Sequence, residues 1–327
     1  MGLEKNVAQK SLFGGVQKSR LSSLRADYIL PPFSVLSARE GEWQNRKRAW
    51  VDLGIDSELG RGDHLTKEEK ESNVRENKLG KCLPDQSIGE KFGRKVQTTS
   101  IFDPVLCELL LSWFTNKGYK VLDPFAGGSV RGLVSGYLGR EYDGIDLSNK
   151  QIEANIEQYN RFNANYGVQN VKWYCGDSNK MDDILPKDKK YDFILTCPPY
   201  ADLEVYSNDP DDISNMTYDK FMETLTSIIK KACDKLEENR FAAIVVGELR
   251  DKKTGVYRGF VPDTINAFRA CGMQYYDEMI LVTSAGSLPI RVKRQFKVGR
   301  KIGKSHQNVL VFYKGDTSKI RDMGNIQ

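Results

Sequence analysis

The 327 residues could form one α/β domain carrying an extension or two average domains, so length alone excludes only a very small or a very large assembly. Hydrophobic residues make up 39%, slightly lean for a globular chain, and a formal net charge of +5 excludes a strongly polyanionic or polycationic protein, which leaves the local placement of charge as the informative quantity. Six scattered cysteines form no CxxC pair, there are two histidines, and no apolar run approaches the roughly 20 residues of a bilayer span, so the chain reads as a soluble, metal-free cytoplasmic protein in a reducing compartment.

Residues 1–26 are polar and rich in Ser and Lys without a sustained period, which predicts a flexible tail. Residues 27–64 form an N-terminal extension. Within it, 40–53 place Trp43, Lys47, Trp50 and Val51 at helical spacing with Arg46 and Arg48 between them, a short, partly basic helix. Residues 65–99 alternate charges with few large apolar residues, the composition of a linker or lid, and 100–327 follow as a domain. Its first helix, over 100–114, starts at Asp103 and Pro104 and carries an apolar face of Val105, Leu106, Leu109, Leu110 and Phe114.

From there strand and helix alternate. Strands are predicted over 119–123, 142–146, 171–175, 191–196 and 241–247, with helices over 129–138, 149–163 and 218–238. A helix over 262–270 is followed by strands over 279–283 and 308–313 with no long helix between them. The pattern predicts an α/β, doubly wound, mostly parallel sheet with one antiparallel strand at one side and helices on both faces.

Gly127 and Gly128 stand directly between a strand and a helix, at the carboxyl edge where open α/β sheets bind ligands. There is no GxGxxG and no GK[ST], which argues against dinucleotide and P-loop sites. Asp146 and Asp177 end the next two strands, and Cys197-Pro198-Pro199-Tyr200 follows the fourth. Each aspartate alone has a plain alternative as a helix cap.

Together these residues resemble the S-adenosylmethionine-dependent DNA amino-methyltransferases. Asp123-Pro124-Phe125-Ala126-Gly127-Gly128-Ser129 is similar to the first motif of that family, and Pro198-Pro199-Tyr200 to the end of its catalytic tetrapeptide. Stretches 31–62, 203–216 and 305–315 are similar to a group of phage-encoded DNA methylases. The resemblance implies a class I, Rossmann-like methyltransferase fold, S-adenosylmethionine as cofactor, DNA as partner, and the cytoplasm of a bacterial or phage-infected cell.

It also implies roles. The backbone of Phe125 to Gly128 would hold the methionine moiety and Asp123 its amino group. Asp146, with Leu147 beside it, would take the ribose hydroxyls. Asp177 would accept from the adenine amine with Ser178 adjacent, and Phe102 and Asp103 would add an upstream cofactor contact. Pro198 and Pro199 would aim the carbonyl after the fourth strand at an exocyclic amine, while Tyr200 stacks on a flipped base. An exocyclic amine is a poor nucleophile because its lone pair is delocalised, so accepting its hydrogens and aligning it with the methyl group is the main catalytic task.

Cys197 departs from the family pattern, which has Asp, Asn or Ser there, and a thiol is a weak acceptor. Adenine N6 is preferred to cytosine N4 only because that activity is more widespread in the family. A nucleophilic Cys197 methylating C5, an RNA amino-methyltransferase and a catalytically silent DNA-binding protein are the alternatives. Two segments are candidates for DNA contact. Arg291, Lys293, Arg294, Lys297, Arg300, Lys301 and Lys304 lie on a predicted loop without one acid, and the helix from Trp43 to Trp50 carries Arg46, Lys47 and Arg48. The acidic stretch 202–212 is expected to flank the target pocket or to be a solvated connection.

Overall fold

The structure, a computed structural model, describes residues 20–56, 102–168, 170–200, 212–286 and 288–324. The expected linker or lid over 65–99, most of the tail and the loop over 202–211 lie outside the described residues.

In chain order the elements are α1 (Arg20–Tyr28), β1 (Val35–Ser37), α2 (Gly41–Asp52), α3 (Pro104–Phe114), β2 (Lys120–Asp123), α4 (Val130–Tyr137), β3 (Glu141–Asp146), α5 (Asn149–Tyr166), β4 (Val171–Cys175), β5 (Tyr191–Thr196), α6 (Tyr218–Lys235), β6 (Leu236–Val246), α7 (Phe260–Ala270), β7 (Gln274–Val282), α8 (Leu288–Gly299) and β8 (His306–Lys314). The strands form one sheet in the order β1-β7-β8-β6-β5-β2-β3-β4. All neighbours are parallel except those that β8 makes with β6 and β7. From β2 the winding runs outward through β3 and β4 on one side and through β5 and β6 on the other, which puts the switch point between β2 and β5. With an antiparallel strand slotted between β6 and β7, this is the class I methyltransferase fold. The antiparallel strand is not at the rim: β7 and the short β1 lie beyond it.

Strand alternation divides the core in two. Val121 and Phe193 face the layer built by α2, α3, α4 and α5, whereas Leu122 and Ile194 face that built by α6 and α7. Because both faces are covered, the central strands read as continuous apolar runs. The helix starts are local chemistry. The Asp103 side chain accepts the Val105 N–H at 2.9 Å with Pro104 in the first turn, and Ser148 caps α5 by accepting from Gln151. α5 ends at Gly167, whose φ of 62° is the left-handed conformation such an end favours.

The basic aromatic helix α2 is a packing element. Trp43 and Trp50 are 1% and 4% exposed, and the Arg46 guanidinium forms a two-pronged pair with the buried Glu108 carboxylate on α3. Glu108 also accepts the Trp50 indole N–H at 2.9 Å, and Lys47 pairs with Asp103 at 3.0 Å. Arg46 and Lys47 are thereby committed to α3 rather than to a nucleic acid.

The basic segment over 291–304 is not a loop throughout: residues 291–299 belong to α8, a helix with no buried residue that connects β7 to β8.

Candidate active site

The glycine turn is held from three directions. Beneath it, Asp123 is fully buried, and its carboxylate accepts four bonds: from the Phe125 N–H at 3.1 Å and the Thr196 hydroxyl at 2.7 Å on Oδ1, and from Arg131 Nε at 2.5 Å and the Tyr142 hydroxyl at 2.8 Å on Oδ2. Two oxygens offer about four acceptor sites, so none remains for a ligand. Asp123 is therefore the organiser of the turn, not the contact to the cofactor's amino group that its motif implied. Burial pulls the Arg131 guanidinium down, but Asp123 outweighs it and holds the cation above its ordinary value. The same arginine donates to the Phe125 and Ala126 carbonyls at 2.5 and 3.0 Å and lies over the Phe102 ring at 4.5 Å, which brings Phe102 to the turn. Asp103 caps α3 and pairs with Lys47.

From the side, α5 contributes a stripe of amides. Asn155 donates to the Gly127 carbonyl at 2.8 Å and Gln151 donates to Asn155 at 2.9 Å. Gln158 bonds to Ser129, whose hydroxyl is buried against α5 rather than turned toward a ligand. From β3 comes Asp146, which accepts the Gly127 N–H at 2.9 Å on one oxygen and the Ser148 N–H at 2.8 Å on the other. Gly127 has φ 50°, the backbone conformation that lets its N–H turn toward Asp146. Each Asp146 oxygen keeps a second lone pair, which suits a vicinal diol. Burial pushes its carboxyl above the ordinary 3.8 against the pull of those two backbone bonds.

Across the turn, Ser178 donates to the Pro124 carbonyl at 2.5 Å and the Gly176 N–H to the Asp146 carbonyl at 2.9 Å. Asp177 is half-buried and accepts the Asn179 N–H at 2.8 Å, leaving acceptor capacity on its carboxylate. Ser178 is thus a tie between two loops. Leu147 is half-buried beside Asp146, and Gly128 continues the turn into α4. The group that this fold takes is S-adenosylmethionine, and the residues fit it: a diol acceptor at Asp146, a second acid at Asp177 and a glycine turn open between them. Nothing lies within 4 Å of where a Cβ would stand on Gly127.

The Thr196 bond to Asp123 ties the end of β5 to this turn, so Cys197-Pro198-Pro199-Tyr200 leaves the sheet beside it. Pro198 is buried, and Cys197, Pro199 and Tyr200 are half-buried. Tyr200 lies on the wall of an open cavity of about 260 Å³ shared with Glu248, Thr283, Lys304, His306 and Gln307. Gln307 donates to the Tyr200 hydroxyl at 2.8 Å, and the ring meets Phe260 edge-on with centroids 6.4 Å apart. Burial and the neighbouring Lys304 lower the His306 imidazole from 6.5, which keeps it neutral near pH 7.

The basic residues separate here. Arg291, Lys293, Arg294, Lys297 and Arg300 are exposed and Lys301 is half-buried at the end of α8. Lys304, by contrast, lines the cavity with its Nζ buried in the wall, apart from the exposed cations of α8. Thr283 before α8 and Lys304 after it both line the cavity, so the segment that carries the helix starts and ends at the cavity wall.

Sequence reasoning missed Arg131, Thr196 and Tyr142 around Asp123, and Glu248 in the cavity. The amides at 151, 155 and 158 carried a readable signal, a polar stripe at helical spacing on the face of α5 that packs on the sheet.

No family model matches the chain. A 90-residue stretch, 28% of this chain, is 33% identical to the Type II methyltransferase M.HinfI of Haemophilus influenzae and spans 24% of that protein's length. Among solved structures, a methyltransferase from Pyrococcus furiosus is similar over 74% of this chain and 100% of its own, at 16% identity and a TM-score of 0.43. TrmN from Thermus thermophilus is similar over 85% of this chain and 80% of its own, at 15% identity and a TM-score of 0.43.

Proposed function

We propose that this protein is an S-adenosylmethionine-dependent methyltransferase that methylates an exocyclic amine of a DNA base, N6 of adenine in preference to N4 of cytosine. The observation that carries the reading is the position of Tyr200. It forms one wall of an open cavity, at the end of the strand that Thr196 ties to the glycine turn. A methyl donor held by Asp146, Asp177 and the turn would therefore lie next to a pocket with an aromatic face for a flipped base.

Pro198 and Pro199 set the direction of the backbone after Cys197, so that a carbonyl accepts one amine hydrogen while the nitrogen faces the methyl group. S-adenosylmethionine supplies an electrophilic methyl on sulfur; the chain supplies alignment, exclusion of water and hydrogen-bond acceptors. The choice of DNA rests on the resemblance to phage-encoded DNA methylases and on α8, whose exposed Arg291, Lys293, Arg294 and Lys297, with Arg300 and Lys301 just beyond, lie on the segment between the cavity-lining Thr283 and Lys304. Cations there suit phosphates flanking an extruded nucleotide. The 33% identity to M.HinfI over part of the chain supports the same class.

The test is incubation of the full chain with methyl-labelled S-adenosylmethionine and either unmethylated DNA or RNA, followed by nucleoside mass spectrometry. N6-methyladenine or N4-methylcytosine from DNA is the expected product. Methylated RNA alone would shift the substrate class, 5-methylcytosine would make Cys197 a nucleophile, and no methylated nucleoside would sink the enzymatic reading.

A further inference from the structure

Two buried charged atoms in the wall of the Tyr200 cavity have no hydrogen-bond partner among the described residues: Oε2 of Glu248 and Nζ of Lys304. Both side chains have stems that pack in the wall, and Glu248 is anchored through its other oxygen, which accepts the Val261 N–H at 3.1 Å in the first turn of α7. A helix N-terminus stabilises an anion there. The two groups feel each other's charge, yet they form no ion pair within 4.0 Å among the described residues. Burial draws the Lys304 ammonium below its ordinary 10.5, against the pull of Glu248. An unsatisfied buried polar atom destabilises the fold and calls for an explanation. An orphaned acceptor and an orphaned donor in the wall of one cavity have a common one: a ligand edge that presents a donor and an acceptor side by side.

We propose that Glu248 supplies the amine-hydrogen acceptor that Cys197 does not, and that Lys304 donates to the ring nitrogen next to that amine. The inference rests on the reading of the cavity as the target-base pocket. Its geometry comes from the sheet. β5 and β6 are parallel neighbours with Thr196 opposite Ile244, so Cys197 leaves the sheet one residue beyond Thr196, and Glu248 two residues beyond Val246 on the adjacent strand. Tyr200 crosses to that strand: a Cβ added to Gly247 would meet the Tyr200 ring at 3.4 Å and Lys304 Nζ at 3.0 Å. Base face, acceptor and donor thus converge on one strand end. The amine of adenine and of cytosine both sit beside an unprotonated ring nitrogen, and both match this pair; thymine and uracil lack the amine.

In the transfer, the amine nitrogen's lone pair forms the N–C bond while the C–S bond of the sulfonium breaks and leaves its electron pair on sulfur. The proton that the nitrogen then sheds passes to the Glu248 carboxylate and on to solvent. Lys304 orients the ring and takes no part in the proton transfer.

The experiment compares wild-type protein with Glu248→Gln, Lys304→Met and the double variant Cys197→Asp/Glu248→Gln, measuring kcat and KM on unmethylated DNA, S-adenosylmethionine affinity by calorimetry, and Tm. Glu248→Gln is expected to lower kcat about 100-fold or more, the usual scale for a lost proton acceptor, with cofactor affinity within about threefold. Lys304→Met is expected to raise KM for DNA more than it lowers kcat. Cys197→Asp is expected to restore at least about tenfold of the kcat lost in Glu248→Gln, which a merely structural role for Glu248 would not allow. If wild-type protein methylates DNA and Glu248→Gln keeps kcat within threefold, or the double variant shows no rescue, the inference is wrong while the proposed function stands. If wild-type protein methylates neither DNA nor RNA, both fall.

Discussion

Asp123→Asn separates the two roles an acid after a strand can have. The substitution removes the negative partner of a fully buried guanidinium and replaces one acceptor oxygen by a donor in a site where four donors converge. The Tyr142 and Thr196 hydroxyls can rotate to other acceptors, but Arg131 is fixed by its bonds to the Phe125 and Ala126 carbonyls. Breaking a buried pair by removing one partner costs about 3–5 kcal/mol, which for a chain of this length corresponds to a fall in Tm of roughly 4–7 °C. Asp146→Asn gives the contrasting result. Asp146 is half-buried and accepts two backbone N–H groups that the Asn side-chain oxygen can still serve in part, so its replacement is expected to change Tm by about 2 °C or less. Losing a charged acceptor to one or two ligand hydroxyls is worth about 1.5–3 kcal/mol, or roughly 10- to 150-fold in cofactor Kd. Thermal unfolding followed by circular dichroism and calorimetric titration with S-adenosylmethionine read both quantities. The reasoning is refuted if Asp123→Asn keeps its Tm while its cofactor affinity falls more than that of Asp146→Asn.

Tyr200→Ala should lower kcat/KM on DNA by about 5- to 150-fold, the value of one lost base stack, while Tyr200→Phe, which keeps the ring and loses the hydroxyl that accepts from Gln307, should fall much less; equal losses would contradict stacking. Replacing Arg291, Arg294 and Lys297 by Gln should reduce the log–log salt slope of DNA binding by about 0.9 for each phosphate contact removed, and an unchanged slope would move the DNA elsewhere. Glu108→Ala should cost about 3–5 kcal/mol in urea unfolding, since it strands Arg46 and the Trp50 N–H in the core; a loss under about 1 kcal/mol would mean that α2 is not anchored there. Because burial raises the Asp146 carboxyl, it takes up its proton at a higher pH than an ordinary 3.8 carboxylate, so cofactor affinity should fall on acidification from above that value. The sign for stability is opposite: a raised native pKa contributes at low pH and is lost as pH rises through it, so a parallel acid loss of Tm would point to a different group.

The parts legible in the sequence were those where one local rule was enough. Strands over 171–175 and 191–196 were read at their observed bounds, 191–196 because a parallel strand covered on both faces is a short apolar run, and 171–175 because this edge strand alternates the buried Val171 and Trp173 with the exposed Lys172. β7 was read only in its second half, since its first half is mostly exposed and polar. β1 has three residues and exists because it pairs with β7 from far along the chain. α8 was read as a loop because of its cations, its terminal Gly299 and Gly303 beyond it, yet Leu288 and Val292 at helical spacing pack against Gly303. For α2, one letter was informative: Glu108 is the lone acid of the otherwise apolar α3, and a buried acid requires a cation such as Arg46.

The site shows the same limit more sharply. Asp123, Asp146 and Asp177 look alike as acids at strand ends, but β2 is the central strand. Its acid is roofed by Arg131 from α4, Tyr142 from β3 and Thr196 from β5, whereas Asp146 lies farther out and keeps lone pairs open. Distance from the switch point, a property of the strand order, decides which acid is structural. The tetrapeptide has a corresponding gap. Cys197 reads as a missing acceptor only while the acceptor is sought on β5; the orphaned carboxylate oxygen of Glu248 comes from the next strand over. A catalytic group can move from one parallel strand to its neighbour without changing where it points in the cleft, because neighbouring strand ends lie about 5 Å apart, within the reach of a glutamate.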